Sequence, residues 1–444
     1  MKKIHFVGIG GIGVSALAQH YLKENWKVFG SDLAQSEITE NLKKLGAKII
    51  TGKHTTKNLP QDAKLVIYSP AVQKNNPELL AAKKLKIKCQ SYPEAVGELT
   101  KKYFTIAVSG THGKSTTTAM VALILEKAGL DPTVIIGTKV KEFGSSNFRG
   151  GDSKYLVIEA DEWGGSFLKY WPNIIVLISI EKEHLDYYRD LNHILRTFKK
   201  YISHLPQNGV LVANKDDKNI LKLIAQREKS KFRIRNYSLN QKEARKIKKI
   251  LKIPGTHNIS NALAALAVAR ILRIPDKITY KALSKYKGTW RRFEIFTLRF
   301  NNKPCVLISD YAHHPTEIRA TLAATREKFK RRKIWAIFQP HQHQRTYYLF
   351  NEFISAFDLA DEIILTNIYD VAGRETRKIS ERVSSRKLAE AIKKTGKKVN
   401  FIANFKKIPA FLRGKLKSDD VILVMGAGDI YDLVNTFLNK NKTK

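Results

Sequence analysis

The residues of this chain best suited to chemistry begin with Gly110-Thr111-His112-Gly113-Lys114-Ser115, set between a β-rich run, Phe104 to Val108, and a helical stretch from Ser115 to Lys127 closed by Gly129. A strand that ends in Gly-x-x-Gly-Lys-Ser and opens a helix lines backbone N–H groups, a helix N-terminus and the Lys114 ammonium around one anion, which suits triphosphate oxygens. The Ser115 hydroxyl is then placed to coordinate Mg²⁺, as the matching Ser/Thr does in phosphate loops generally. The longer form of this loop carries a glycine five residues before Gly113, where this chain has Val108, so the loop reads as a shortened variant.

Two further clusters fall at strand ends. Glu159 closes an apolar strand in Glu159-Ala160-Asp161-Glu162, and His184 follows the next strand in Glu181-Lys182-Glu183-His184-Leu185-Asp186. Strand ends on one sheet edge are neighbours, so this carboxylate and imidazole are candidates to ligate a divalent cation bridging ATP phosphates and a reacting acyl group. Taken alone, either cluster reads as a solvated loop or a helix cap; the order relative to Lys114 reverses that weighting.

The N-terminal turn Gly8-Ile9-Gly10-Gly11-Ile12-Gly13 fits a dinucleotide fingerprint, with Asp32 about 20 residues on, where a ribose-binding carboxylate belongs. By itself this turn says dehydrogenase. Glycines at a first strand-to-helix turn hold any pyrophosphate, however, and a uridine diphosphate sugar is an equal candidate. Nearer the C-terminus, Asp310-Tyr311-Ala312-His313-His314-Pro315-Thr316-Glu317 follows one strand and Phe338-Gln339-Pro340-His341-Gln342-His343-Gln344-Arg345 another. Open α/β sheets bind ligands at such ends, and Arg345 has the fork geometry to pair with a carboxylate. Zinc on His313 and His314 is the competing idea, but adjacent side chains diverge.

The elements that must position these residues alternate strand and helix. Ile4 to Val7, a helix from Val14 to about Lys23, and Lys27 to Gly30 make a βαβ unit, with a further strand at Leu65 to Tyr68. A second start comes at Phe104, with strands at Tyr155 to Ile158 and Ile174 to Ile178; a third follows Arg291-Arg292-Phe293, with strands at Val306 to Ser309, Ile334 to Phe338, Glu362 to Thr366 and Val421 to Met425. The expected class is α/β in three domains: 1–100 Rossmann-like, 101–290 of P-loop ATPase type, and 291–444 Rossmann-like. A length of 444 residues agrees with about three domains.

Composition narrows the function classes. No apolar run approaches the roughly 20 residues of a membrane span, and glycines interrupt the N-terminus where a secretory apolar core would continue, so a first strand is expected there. Two cysteines, Cys89 and Cys305, cannot form a disulfide framework or a four-cysteine metal site, which fits a reducing cytoplasm. The 79 Lys+Arg against 40 Asp+Glu give a formal charge of +39, which keeps a nucleic-acid-stimulated ATPase as a second class of function. These lysines are scattered at helix-like spacing, as solvated faces are, and no specific nucleic acid is expected.

Taken together the motifs resemble the Mur ligases over nearly the whole chain. The most specific pieces are Gly8 to Gly13, Gly110 to Thr116, Glu159 to Glu162, Gly255-Thr256-His257-Asn258 with Asn261, Arg291-Arg292-Phe293, Asp310 to Glu317, and Gly426-Ala427-Gly428-Asp429-Ile430. The resemblance implies an N-terminal domain for a uridine nucleotide, a central ATPase domain and a C-terminal Rossmann-like domain. It implies that ATP phosphorylates the carboxylate of UDP-N-acetylmuramate to an acyl phosphate, which the amine of an amino acid, L-alanine first, then attacks. By position it gives the UDP-sugar to Gly8, Gly10, Gly11, Ile12, Gly13, Ser31, Asp32 and Ser69. It gives the γ-phosphate to Lys114 and Mg²⁺ to Ser115, Glu159 and His184. ATP also falls to Gly110, Thr111, His112, Gly113, Thr116, Arg292, Asp310 and Tyr311, and adenine to His257, Asn258 and Asn261. Tyr311, His313 and Arg345 face the reacting centre and the incoming amino acid.

The chain departs from the alanine-adding pattern in three places: Trp163-Gly164 stands for Ser-Asp, Glu183 for Asp, and Gln342-His343 for Arg-Tyr. The last change lies near the expected amino-acid site, so glycine, L-serine, or the preformed tripeptide of the family's murein-peptide ligation remain alternatives.

Overall fold

A computed structural model describes residues 1–225, 231–301, 303–371 and 377–439. Three sheets follow one another along the chain. The first contains β1 (Lys3–Val7), β2 (Lys27–Asp32), β3 (Lys48–Thr51), β4 (Leu65–Tyr68) and β5 (Lys88–Ser91) in the order β3-β2-β1-β4-β5, all parallel. Parallel sheets need both faces covered, and the central strands supply continuous apolar runs, with Ile4, Phe6, Val66 and Ile67 wholly buried. The edges β3 and β5 are short and partly exposed, with Lys48 and Lys88 at their starts, so neither shows the apolar run that marks a strand in sequence.

The second sheet has seven strands: β6 (Phe104–Ser109), β7 (Thr133–Val140), β8 (Ser146–Arg149), β9 (Tyr155–Ala160), β10 (Ile174–Leu177), β11 (Val210–Asn214) and β12 (Arg233–Tyr237). Their order is β12-β11-β10-β6-β9-β7-β8, parallel except for β8. The helix Lys114–Lys127 that leaves β6 is rich in Ala and Thr and buried along most of its length, so it lies close against the strands and fixes where its N-terminus points. The third sheet contains β13 (Glu294–Phe300), β14 (Lys303–Asp310), β15 (Ile334–Phe338), β16 (Glu362–Leu365), β17 (Val399–Phe401) and β18 (Val421–Met425), in the order β13-β14-β18-β15-β16-β17 with only β13 antiparallel. Alternate residues of its strands serve two cores. Ile308, Ala336 and Leu423 pack with Ile318 and Leu322 of the helix Pro315–Lys328, while Leu307, Trp335 and Ile422 pack with Leu433 and Phe437 of the helix Tyr431–Asn439.

The chain forms two compact units. The first holds the first two sheets, from Met1–Ile180, Leu195–Ile250 and Asn261–Tyr286. The second takes the chain from Lys287 on, together with two excursions out of the middle of the sequence, Glu181–Ile194 and Leu251–Ser260. The contiguous boundaries expected at 100 and 290 do not anticipate those excursions. Within the first unit, the Asn147 amide donates to the Ile12 carbonyl and the Ser15 hydroxyl, and Lys23 reaches Asp152 at 2.6 Å, tying the first sheet's leading helix to the second sheet. Basic runs lie on solvated faces: in the helix Lys242–Ile250, Ile247 is buried and Lys242, Arg245, Lys246, Lys248 and Lys249 are exposed. No helix among the described residues is long and apolar enough to cross a membrane.

Candidate functional site

The phosphate-type loop hangs between β6 and the helix Lys114–Lys127. Strand β6 runs through Val108 to Ser109, and Val108 is buried between its register partners Val176 and Glu159. The position that would carry a glycine in the longer loop is therefore a core strand position here. Gly110 and Gly113 have φ of +132° and +85°. A Cβ at Gly110 would stand 2.7 Å from the Ser179 carbonyl oxygen, and one at Gly113 2.5 Å from Asn261 Oδ1, so close approach as well as φ requires glycine. The Thr111 amide donates to the Ser179 carbonyl (2.8 Å) and the His112 amide to the Ser179 hydroxyl (3.0 Å), lacing the loop to the chain after β10.

Charge is concentrated behind this loop. The Lys114 ammonium lies 2.9 Å from Glu162 and 3.4 Å from Asp161. Burial pulls its pKa down, but Glu162, Asp161 and Glu159 outweigh that and hold it above the ordinary lysine range, so it stays charged. The Ser115 hydroxyl sits 3.0 Å from both oxygens of Glu159, whose Oε2 also accepts from the Gly137 amide at 2.9 Å. Thr116 is buried at the start of the helix. A hydroxyl and a carboxylate side by side form an all-oxygen donor set, which suits Mg²⁺.

At the N-terminus, the Gly8 and Ile9 amides donate to the Ser31 carbonyl, and the Gly10 amide to Asp32 Oδ2 at 2.8 Å. A Cβ at Gly8 would lie 3.0 Å from Ser69 Cβ, and one at Gly13 2.8 Å from the Tyr92 ring. Gly8, Gly10, Gly11, Ile12, Gly13, Ser31, Asp32 and Ser69 thus meet at the carboxyl ends of β1, β2 and β4, where the strand order reverses. Beneath them is a buried cluster that sequence reasoning missed. The Glu78 carboxylate meets His5 Nε2 (2.6 Å), the Ser31 hydroxyl (2.7 Å), His54 Nδ1 (2.8 Å) and the Asn58 amide (2.8 Å). Burial pushes its pKa up, but the hydrogen bonds from His5, Ser31, His54 and Asn58 prevail and hold it at about 2.

The second unit holds the remaining candidates. Asp310 closes β14 and accepts from the Phe293 amide (2.7 Å) and the Ala312 amide (2.8 Å), which commits it to shaping the chain around Arg291-Arg292-Phe293; burial raises it to about 6. Arg292 stacks on Tyr311 at 4.8 Å and pairs with Glu317 at 3.6 Å. His313 Nδ1 lies 3.0 Å from the Tyr311 carbonyl and 3.1 Å from Glu317, and burial lowers it to about 4, so it is neutral near pH 7. Arg345, 6% exposed, meets Glu183 rather than an open surface. Asn258 and His257 open the helix Thr256–Ile271 in this unit, the Asn258 amide donating to the Pro254 carbonyl at 2.6 Å, while Asn261 of the same helix belongs to the first unit. His184, in the excursion Glu181–Ile194, has φ of +54°. Two missed residues carried a faint signal: Glu162 stands in the same acidic run as Glu159, and Glu183 is the neighbour of His184. Glu78 carried none.

Comparison with known proteins agrees with this arrangement in order and extent. Residues 3–104 match the description "Mur ligase family, catalytic domain", 108–269 "Mur ligase middle domain" and 291–428 "Mur ligase, glutamate ligase domain". UDP-N-acetylmuramate–L-alanine ligases from Acetivibrio thermocellus and Persephonella marina are 41% and 42% identical, covering 98% and 100% of this chain and 96% and 98% of their own length. The crystal structure of UDP-N-acetylmuramate-alanine ligase from Thermotoga maritima superposes over all of both chains with a TM-score of 0.80 at 29% identity. That of a murein peptide ligase from Psychrobacter arcticus covers 99% of this chain and 98% of its own, with a TM-score of 0.73 at 22% identity, a likeness of fold. Matched in all three of its domains and to relatives of its full length, the chain belongs to the Mur ligase family.

Proposed function

We propose that the protein is an ATP-dependent ligase that joins L-alanine to the carboxylate of UDP-N-acetylmuramate, acting in the cytoplasm in peptidoglycan precursor synthesis. The observation that carries this reading is the loop at the carboxyl end of β6, where Lys114 and Ser115 stand beside Glu162 and Glu159, in a chain whose full-length relatives bear that name. Phosphoryl transfer needs positioning and charge neutralisation more than a covalent nucleophile, and this loop offers both.

The roles follow from the residues. The segments 1–100, 101–290 and 291–444 serve the UDP-sugar, ATP and the incoming amino acid respectively. The turn Gly8 to Gly13, with Ser31, Asp32 and Ser69, takes the UDP-sugar. The loop amides and Lys114 take the ATP phosphates, and His257, Asn258 and Asn261 take adenine, with Arg292, Asp310 and Tyr311 completing the nucleotide's surroundings. Ser115 and Glu159, joined by His184, are the residues to hold Mg²⁺, which when bound neutralises phosphate charge. The muramoyl carboxylate oxygen attacks the γ-phosphorus and ADP leaves, giving an acyl phosphate. The neutral amine of L-alanine attacks the acyl carbon; the tetrahedral intermediate loses phosphate and yields the amide. The proton the amine gives up leaves through His313 or bound water, and Arg345 orients the amino acid.

An amino-acid panel in a phosphate-release assay with ATP, Mg²⁺ and UDP-N-acetylmuramate tests the reading. Release is expected only when UDP-N-acetylmuramate and L-alanine are both present. A preference for the tripeptide, or release that follows added DNA or RNA instead, would overturn it.

A further inference from the structure

The formal charge of +39 is not spread evenly over the chain. Between Lys242 and Lys285 there are 11 Lys and Arg against two acids, Glu243 and Asp276. This stretch folds as three helices, Lys242–Ile250, Thr256–Ile271 and Asp276–Lys285. The first and last pack against each other, with the Lys246 ammonium 3.9 Å from the centre of the Tyr280 ring. Arg270 of the middle helix holds both acids, Glu243 at 2.8 Å and Asp276 at 2.7 Å. Both carboxylates of the stretch are thereby committed to one guanidinium.

The remaining cations are sorted by helical period. At 3.6 residues per turn, Lys242, Arg245 and Lys249 fall opposite Ile247, the buried residue of the first helix. Lys277, Lys281 and Lys285, four residues apart, form a stripe on the last helix away from its buried Thr279, Ala282 and Leu283. All six are exposed. Two neighbouring helices thus turn two stripes of cations to solvent, each about 10–12 Å long at 1.5 Å per residue. None of the large apolar residues exposed in the described chain lies between Lys242 and Lys285, so this face offers charge without an apolar wedge.

Such a face attracts a polyanion, and its side-chain chemistry selects the kind. Five of the six cations are lysines, compact point charges that lack the fork with which arginine reads phosphates and base edges. Tyr280, the one Phe, Tyr or Trp in the stretch, lies under Lys246 and is not free to stack on a base. Point charges without a fixed pattern suit an anionic surface whose charges are dense and laterally mobile, as lipid headgroups are. We propose that the face formed by the helices Lys242–Ile250 and Asp276–Lys285 docks the protein on an anionic phospholipid bilayer, by charge alone and without insertion. The docking goes beyond the ligase reading and does not depend on it, since none of the six cations is among the residues assigned to ATP, Mg²⁺ or the UDP-sugar.

The test floats the full-length protein with vesicles of phosphatidylcholine alone and of phosphatidylcholine mixed with phosphatidylglycerol. Two triple variants reverse one stripe each, Lys242→Glu/Arg245→Glu/Lys249→Glu and Lys277→Glu/Lys281→Glu/Lys285→Glu. A control reverses three exposed lysines of the second unit, Lys393→Glu/Lys394→Glu/Lys398→Glu. Wild type should bind the anionic vesicles only, each stripe variant should bind at least about tenfold more weakly, and the control should change less than about threefold. Binding should vanish as salt rises from about 0.1 to 1 M, where the Debye length falls from about 10 to 3 Å. ADP release in solution and melting temperature should match wild type in all three variants. Should a stripe variant melt early, its Gln counterpart removes the charge without reversing it and should still weaken binding severalfold. The idea is overturned if wild type ignores anionic vesicles, if binding survives high salt, or if the control weakens it as much as the stripes do. Tighter binding to a DNA duplex, with the same dependence on the two stripes, would also overturn it and make nucleic acid the partner.

Discussion

Replacing Lys114 with methionine would separate two jobs that its position gives it. The ammonium lies 2.9 Å from Glu162, whose side chain is 3% exposed. Lys114→Met keeps most of the bulk and strips this cation from a buried carboxylate, a loss of about 3–5 kcal/mol for a broken buried pair. A cooperative unit of roughly 150–250 residues loses about 2–4 °C of melting temperature per kcal/mol, so the transition that includes the second sheet should fall by about 6–20 °C. Turnover should fall by about 100- to 1000-fold, the size of effect seen when one preorganised donor to a developing charge is removed. Adding Glu162→Gln should return most of the lost stability, because an amide needs no counter-cation, and none of the turnover, because the γ-phosphate still does. Calorimetry and ADP release on the same preparations decide it. If the double variant recovered turnover along with stability, the Lys114 charge would be serving the fold alone, and the reading of the loop as a triphosphate cradle would be wrong.

Glu78→Gln should destabilise the first unit in a pH-dependent way. The folded carboxyl titrates at about 2 against an ordinary 4.5, so its stabilisation, up to about 3 kcal/mol, is complete above pH 4.5 and is lost as pH falls toward 2. The gap in melting temperature between wild type and variant should therefore be widest near pH 7 and narrow below pH 4.5; a gap constant from pH 7 to pH 3.5 would refute the ionised network. Glu159→Gln should raise the magnesium concentration needed for half-maximal ADP release by at least the roughly 10- to 100-fold that outer partners of a metal carry. An unchanged magnesium titration would remove Glu159 from the metal site.

The parts of the site legible in sequence were those written in local spacing. The turn Gly8 to Gly13 and the loop Gly110 to Ser115 are dictated by backbone geometry over a few residues, and the long apolar strands Ile334–Phe338 and Val421–Met425 came out at their observed bounds. Even the misfit at Val108 was readable, and the structure supplies its cause: that residue is a buried strand position. What stayed hidden were pairings across long stretches of chain. Glu78 gathers His5, Ser31, His54 and Asn58 from 20 to 73 residues away, and Glu183 finds Arg345 at a separation of 162. Such contacts are set by how strands are ordered in the sheets, and no periodicity records that. The edge strands Lys48–Thr51 and Lys88–Ser91 were missed because half-solvated edges need no apolar run.

The excursion Glu181–Ile194 bears on how this protein can be taken apart. Its flanks belong to the first unit, yet it carries Glu183 to Arg345 in the second. A fragment beginning at Lys287, the natural place to cut if the chain were three beads on a string, would keep Arg345 and leave its counter-charge behind. Any dissection that isolates the chain from Lys287 on would remove one partner of an ion pair that no linear map of the chain displays. The excursion makes the second unit a structural module without making it a genetic one.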